Sequence, residues 1–145
     1  MTYNQLIETI RSLLQSHAMI KTVKNVTPGE WLYKGGNDVV FPVCCFTVNT
    51  GSFNKGRQQI YSVQFFFLDK AGKEAEFEQE VISDQVGIGY DIVELMRNEK
   101  NPYSIPDEVS FNTILDAQED YLAGVELTTQ LQTQSAFDGC DVPIN

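Results

Sequence analysis

Few residues in this chain are equipped to act on a substrate. His17 is the only histidine among 145 residues, so a site needing two imidazoles is excluded, as is a Cys2His2 zinc finger. A histidine-based nucleophilic triad would have to use it, yet neither a Gly-x-Ser-x-Gly elbow nor a Cys-Gly nucleophile motif accompanies it. At the end of the first predicted helix, His17 fits a C-terminal cap or surface group that meets the negative end of the helix dipole. Asp138 and Asp141 flank Cys140, but the spacing is not that of a calcium loop, which needs alternating oxygen donors and a distal glutamate. Glu74, Glu76, Glu78 and Glu80 open a long helix, where acids are favourable to the macrodipole by about 0.3–1 kcal/mol each. General acid–base work would require a pocket partner for one of them. Gly87-Ile88-Gly89 lacks the third glycine and the strand-to-helix position of a phosphate loop. The reading is that of a non-enzyme, with no catalytic residue, cofactor or metal assigned.

The elements that carry these residues are easier to read. Thr2 caps a helix running to about His17, with Leu6, Ile7, Ile10, Leu13 and Leu14 on one face. Ile20–Val26 is a short strand candidate, and Thr27-Pro28-Gly29 and Gly35-Gly36-Asn37-Asp38 are turns around Trp31 and Tyr33. Val39–Thr50 reads as a strand with Phe41, Val43 and Cys45 on one face and Val40, Cys44, Phe46 and Val48 on the other. Pro42 belongs at an edge, an end or a bulge, because it cannot donate to a ladder. Residues 50–57 (TGSFNKGR) read as a polar loop, and Gln58–Asp69 returns with Tyr61, Val63, Phe65 and Phe67 on one face. Ala75–Arg97 predicts the long helix, with Phe77, Val81, Ile88, Ile92, Leu95 and Met96 as its apolar stripe. Gly87 and Gly89 inside it imply close packing on a strand, or else a kink or a neighbouring subunit pressed against that spot. Asn98–Pro106 ends the helix. Val109–Leu115 is a short strand, and Ala117–Gln134 carries the clearest period-2 alternation in the chain. Together these predict one α+β domain over residues 1–145: an antiparallel sheet with a long hairpin, packed against an N-terminal helix and a long central helix.

The totals agree with a single domain large enough to need no staples. A net charge of −10 argues against a nucleic-acid-gripping or anionic-membrane-binding surface. Three cysteines, two of them adjacent and so on opposite faces of a strand, make no disulfide framework and imply reduced, structural thiols. There is no basic, apolar leader and no run long enough to span a membrane, so folding in a cytoplasm is expected. The most function-like surface feature is Phe53 with Lys55 and Arg57 on the hairpin, a combination suited to docking into an acidic neighbour.

The order helix, long hairpin, long helix and late alternating strand, with Asp120-Tyr-Leu-Ala-Gly124 entering that strand and Cys140-Asp-Val-Pro-Ile144 ending the tail, resembles the neck and tail-completion proteins of tailed bacteriophages. The ending is similar to that of tail terminator-like proteins. This resemblance implies a structural virion subunit, assembled in the cytoplasm of the infected bacterium, that closes into a six- or twelve-fold homo-oligomeric ring. Such a ring would join portal and neck to the tail and line the DNA conduit without binding DNA specifically. It implies subunit contacts through Phe53, Lys55 and Arg57, pairing of sheet edges across subunits, and docking of Cys140, Asp141, Val142, Pro143 and Ile144 on an adjacent component. Acidic lumen walls would let the genome slide. Lys21, Lys24 and Lys34 leave the N-terminal third less acidic, fitting an outer docking face. Two rivals stand beside it: a ligand-binding module with an apolar pocket under Trp31, Phe65 and Phe67, and an enzyme using paired carboxylates.

Overall fold

The computed structural model describes residues 1–27, 39–71, 75–116, 122–134 and 143–144, with only the backbone for Ala75, Glu76 and Asp116. Within them the chain is α+β, as the alternation and the helical periodicity predict. Helix α1 (Tyr3–Gln15) is followed by the short β1 (Thr22–Lys24), then by β2 (Val43–Asn54) and β3 (Gln58–Lys70). Helix α2 (Ala75–Met96) leads to β4 (Tyr103–Ser104), β5 (Ser110–Asp116) and β6 (Leu122–Gln134). The six strands form one sheet in the order β1-β2-β3-β6-β4, with β5 also on β6. All pairs are antiparallel except β1 on β2.

Thr2 caps α1 through a reciprocal box: Gln5 N–H donates to Thr2 Oγ1 at 3.2 Å, and Thr2 N–H donates to Gln5 Oε1 at 2.8 Å. The Met1 amino group donates to the Gln134 carbonyl at 3.0 Å, tying the start of α1 to the end of β6. Leu6, Ile7, Ile10 and Leu14 are buried on the sheet, with Leu13 packed at the margin.

Both helices cover the same face of the sheet. There, Cys44, Phe46, Val63, Phe65, Phe67, Val125, Leu127 and Leu131 meet α1 and the inner side of α2. Phe46, Phe65 and Phe67 stack in series, with centroids 6.5 and 6.2 Å apart. On the opposite face Val43, Cys45, Leu68 and Leu122 form a second cluster, with Val39, Phe41, Phe66 and Ile114 against it. The apolar pattern on both faces of β2 is therefore used on both faces, and Cys44 and Cys45 divide between the two clusters. The Phe41–Pro42 peptide bond is cis. Pro42 sits just outside the strand end, and its carbonyl accepts from the N–H groups of Lys21 (2.8 Å) and Thr22 (3.3 Å).

Three expectations need correction. The apolar stripe of α2 does not include Phe77 or Leu95, which are half exposed; the covered face is Gln85, Ile88, Gly89, Ile92, Val93 and Met96. Ile88, Ile92 and Met96 of the expected stripe are buried, while Gln85 and Gly89, which carry no apolar signal, complete the face in place of Phe77 and Leu95. Residues 50–57 are not a loop: β2 runs to Asn54, and the turn is Lys55-Gly56-Arg57. Exposed, mostly polar side chains on β2 hide the ladder there. Gly56 and Arg57 take positive φ (87° and 66°), the left-handed geometry a short hairpin turn uses. Finally, the two-proline stretch after α2 contains β4, which pairs with β6 at Thr133 and Gln132; of the strand expected over 117–134, residues 117–121 lie outside the described residues.

Candidate functional site

The described side chains form no constellation for covalent chemistry. His17 closes a contact between helices: its Nδ1 accepts from Met19 N–H at 3.1 Å, so Nε2 carries the proton and donates to Asp91 Oδ2 at 2.9 Å. Cys44 is wholly buried, and burial first, then the neighbouring Cys45, pushes its thiol well above the usual range. Burial pushes Cys45 up to about 12, against a smaller lowering by Lys24. Neither thiol is poised as a nucleophile. Among the described residues no group of three or more His, Cys, Asp or Glu side chains is arranged to hold a metal ion. No described helix is long and apolar enough to cross a membrane.

What the fold does assemble are surfaces. The first is the far end of the sheet. Beyond Cys45 the described partner of β2 is β3 alone, and the two continue to the turn at Lys55–Arg57 with a bulge at Asn49. Phe53 stands there at 84% exposure, beside exposed Lys55 and Arg57. The three tip residues singled out in the sequence are thus brought together. Pro143 and Ile144 are exposed, whereas Cys140, Asp141 and Val142 lie outside the described residues, as do Trp31 and Tyr33. Phe65 and Phe67 are buried in the core at 1% and 0% exposure.

A second surface is the part of the sheet's other face that the second cluster leaves open. Around half-buried Ile60, the side chains of Asn49, Ser52, Ser62, Gln64, Thr128, Gln130 and Gln132 make it polar, with Glu126 its acid, while Lys24 and Lys70 lie further along the same face beside the second cluster. A cross-strand chain holds it flat: Asn49 Nδ2 donates to Gln64 Oε1 at 2.7 Å, and Gln64 Nε2 donates to Glu126 Oε1 at 2.9 Å.

The third was not visible in the sequence. Val86, Gly89, Tyr90 and Val93 of α2 face Val109, Phe111, Val125 and Leu127 across a groove of about 200 Å³ beside β5. Tyr90 is 62%, Phe111 50% and nearby Leu115 56% exposed. Arg97 closes one end, bonded to Glu94 Oε1 at 2.8 Å and to the Asp107 carbonyl. The signal was present as Tyr90 off the apolar stripe and Phe111 on a short strand, but only the pairing of β5 with β6 sets them side by side. A wider polar cleft, about 750 Å³, opens under the α2–β4 connection between Asn98 and Gln132.

No family model matches this chain, and no curated protein matches it either.

Proposed function

We propose that this chain is a structural subunit of a phage neck or tail end, closing with its own copies into a ring around the DNA conduit. The observation that carries the reading is the sheet itself. One face is covered by two helices over its centre, part of the other is polar, and among the described residues β2 beyond Cys45 and β5 each pair on one side only. Edges of that kind are templates for another chain unless something covers them. Around an axis, the open face would form the inner wall. Its Gln, Thr and Ser side chains add no cationic grip for phosphates, and the cations of that face, Lys24 and Lys70, lie at its other end beside the second cluster. This differs from the acidic wall expected at first: the described carboxylates of α2 (Glu78, Glu80, Asp84, Asp91, Glu94) sit on the helical side. In a ring they would face outward and towards portal and tail components.

The test is the mass of the purified protein across concentration, with negative-stain images of the largest species. A closed ring of fixed copy number with an axial hole wide enough for duplex DNA supports the reading, and the count decides between six and twelve. A strict monomer at every concentration overturns the self-closing ring and turns attention to the cleft under the α2–β4 connection as a ligand site.

A further inference from the structure

We infer that the copies join edge to edge, the outer edge of β2 in one copy pairing antiparallel with β5 of the next, with Phe53 seated in the groove between α2 and β5. The inference rests on the ring reading and adds to it the two surfaces that meet and their register.

Three observations converge. The first is which edges are open. Among the described residues β5 pairs only with β6, and β2 beyond Cys45 pairs only with β3, so the two free edges lie on opposite sides of one sheet. Different surfaces meeting head to tail generate a closed ring or a filament, which is what a single chain needs to encircle an axis. Strand direction is also compatible. β2 runs with β6, and β5 runs against β6, so rotation about an axis near the strands brings β5 and the next β2 together antiparallel.

The second is which side chains share a face. Phe53 is opposite Gln59, in step with Val63, Phe65 and Phe67 on the helix-covered face. Phe111 is opposite Leu127 and Leu115 opposite Ala123, on that same face. A sheet continued across the joint therefore sets Phe53 beside Phe111, above the groove floor at Leu127 and next to Tyr90. An apolar cavity of about 150 Å³ holds a benzene ring, and the groove has about 200 Å³.

The third is charge in register. With Phe53 opposite Phe111 the ladder ends at Asn54 and Ser110, and the turn that carries Lys55 and Arg57 then comes beside the segment that precedes β5, with its exposed Asp107 and Glu108. Electrostatic matching of this kind fixes register and partner choice.

The stagger is sterically reasonable. Within one copy Phe111 is level with Phe46 through Leu127 and Phe65, so moving Phe53 there shifts the next copy by roughly six pleated residues past the bulge, ~20 Å. Over four strand spacings, ~19 Å, that corresponds to strands inclined close to 45°, at the upper end of what closed sheets adopt. β3 and β5 are parallel and joined by a helical crossover, a connection that is right-handed in nearly all sheets. That hand and the right-handed twist of strands give the stagger the same sense.

A cysteine trap tests this in the full chain, in a Cys140→Ser background because Cys44 and Cys45 are buried. Within one copy Phe53 and Phe111 are separated by β3 and β6, about 14 Å sideways alone, beyond the roughly 7 Å limit for a disulfide. Phe53→Cys with Phe111→Cys should therefore give, on mild oxidation, a ladder of linked copies ending at the ring number. Each single variant should stop at dimers, and Phe53→Cys with Leu115→Cys should link at least about tenfold more slowly, since Leu115 is four residues out of register. If sedimentation shows rings but no ladder forms, or the Leu115 pair links as fast, this joint is wrong while the ring stands. If the protein is monomeric and no ladder forms, both readings fall. As a second readout, Lys55→Glu should weaken assembly, and adding Glu108→Lys should restore it; failure to restore removes the proposed register.

Discussion

Gly124 faces Phe67 so closely that a Cβ there would lie 1.8 Å from the Phe67 carbonyl oxygen. No side-chain rearrangement relieves a clash with backbone, so Gly124→Ala should cost at least ~3 kcal/mol and show as a large drop in the urea midpoint, or as failure to fold. The two glycines of α2 look equivalent in the sequence, and the structure separates them. A Cβ at Gly89 would meet Leu127 Cδ1 at 3.2 Å, which is the close strand packing expected, whereas one at Gly87 would meet nothing within 4 Å. Gly87→Ala should therefore stabilise the subunit by up to ~1 kcal/mol in chemical denaturation. Should that variant be more stable yet assemble worse, a neighbour occupies the spot. Sequence alone exposed the glycines and not their surroundings, because a missing side chain leaves no pattern. The adjacent cysteines were legible: strand alternation places them on opposite faces, and each is buried there. Burial raises the Cys44 thiol well above its usual range and brings the Cys45 thiol and the Tyr103 hydroxyl each to about 12, so all three stay protonated in the folded state. Unfolded thiols ionise from about pH 8.5 and tyrosine from about pH 10. Stability is thus fully present below pH 8.5 and is lost as pH rises towards 12. Thermal midpoints between pH 8 and 11 should fall, and the part due to thiols should vanish in a Cys44→Ala, Cys45→Ala variant.

At the scale of elements, α1 follows from its sequence almost completely. Thr2 with Gln5 makes the capping box, and the buried face is the predicted stripe. What the sequence did not disclose is how α1 is held to α2. The His17–Asp91 contact spans 74 positions, and no local signal pairs them. Removing the imidazole in His17→Ala should lower stability by about 0.5–1.5 kcal/mol, and combining it with Asp91→Asn should cost no more than the first change alone. Additive losses in that cycle would show that the two groups act separately. The long β2–β3 hairpin was legible, and only its outer end, residues 50–54, reads as loop, for a definite reason. Exposed strands on the far side of a core lose the apolar half of their alternation, and TGSFN then looks like a loop. Phe53 and Lys55 are exposed there, as a reading from residue type expects whatever backbone presents them.

For the molecule as a whole, charge sets a condition on assembly that no single contact reveals. Each copy carries a net charge of −10. Bringing several together is opposed by repulsion acting over the Debye length, about 30 Å at 0.01 M salt and about 8 Å at 0.15 M. The proposed joint works against this locally, because it brings the turn that carries Lys55 and Arg57 beside Asp107 and Glu108 of the next copy, at a separation shorter than the Debye length, where screening removes less. Apolar burial of Phe53 against Phe111 and Tyr90 is not weakened by salt at these concentrations. Raising salt from roughly 0.01 M to 0.15 M should therefore strengthen assembly, because it removes more of the long-range repulsion than of the short-range attraction. Sedimentation at fixed protein concentration would show the larger species growing with salt. The opposite trend, dissociation over the same range, would mean that the joint is held mainly by exposed ion pairs. Phe53 would then be a bystander, and the search for the true apolar contact would move to the half-exposed Phe77 and Leu95 on the outer side of α2.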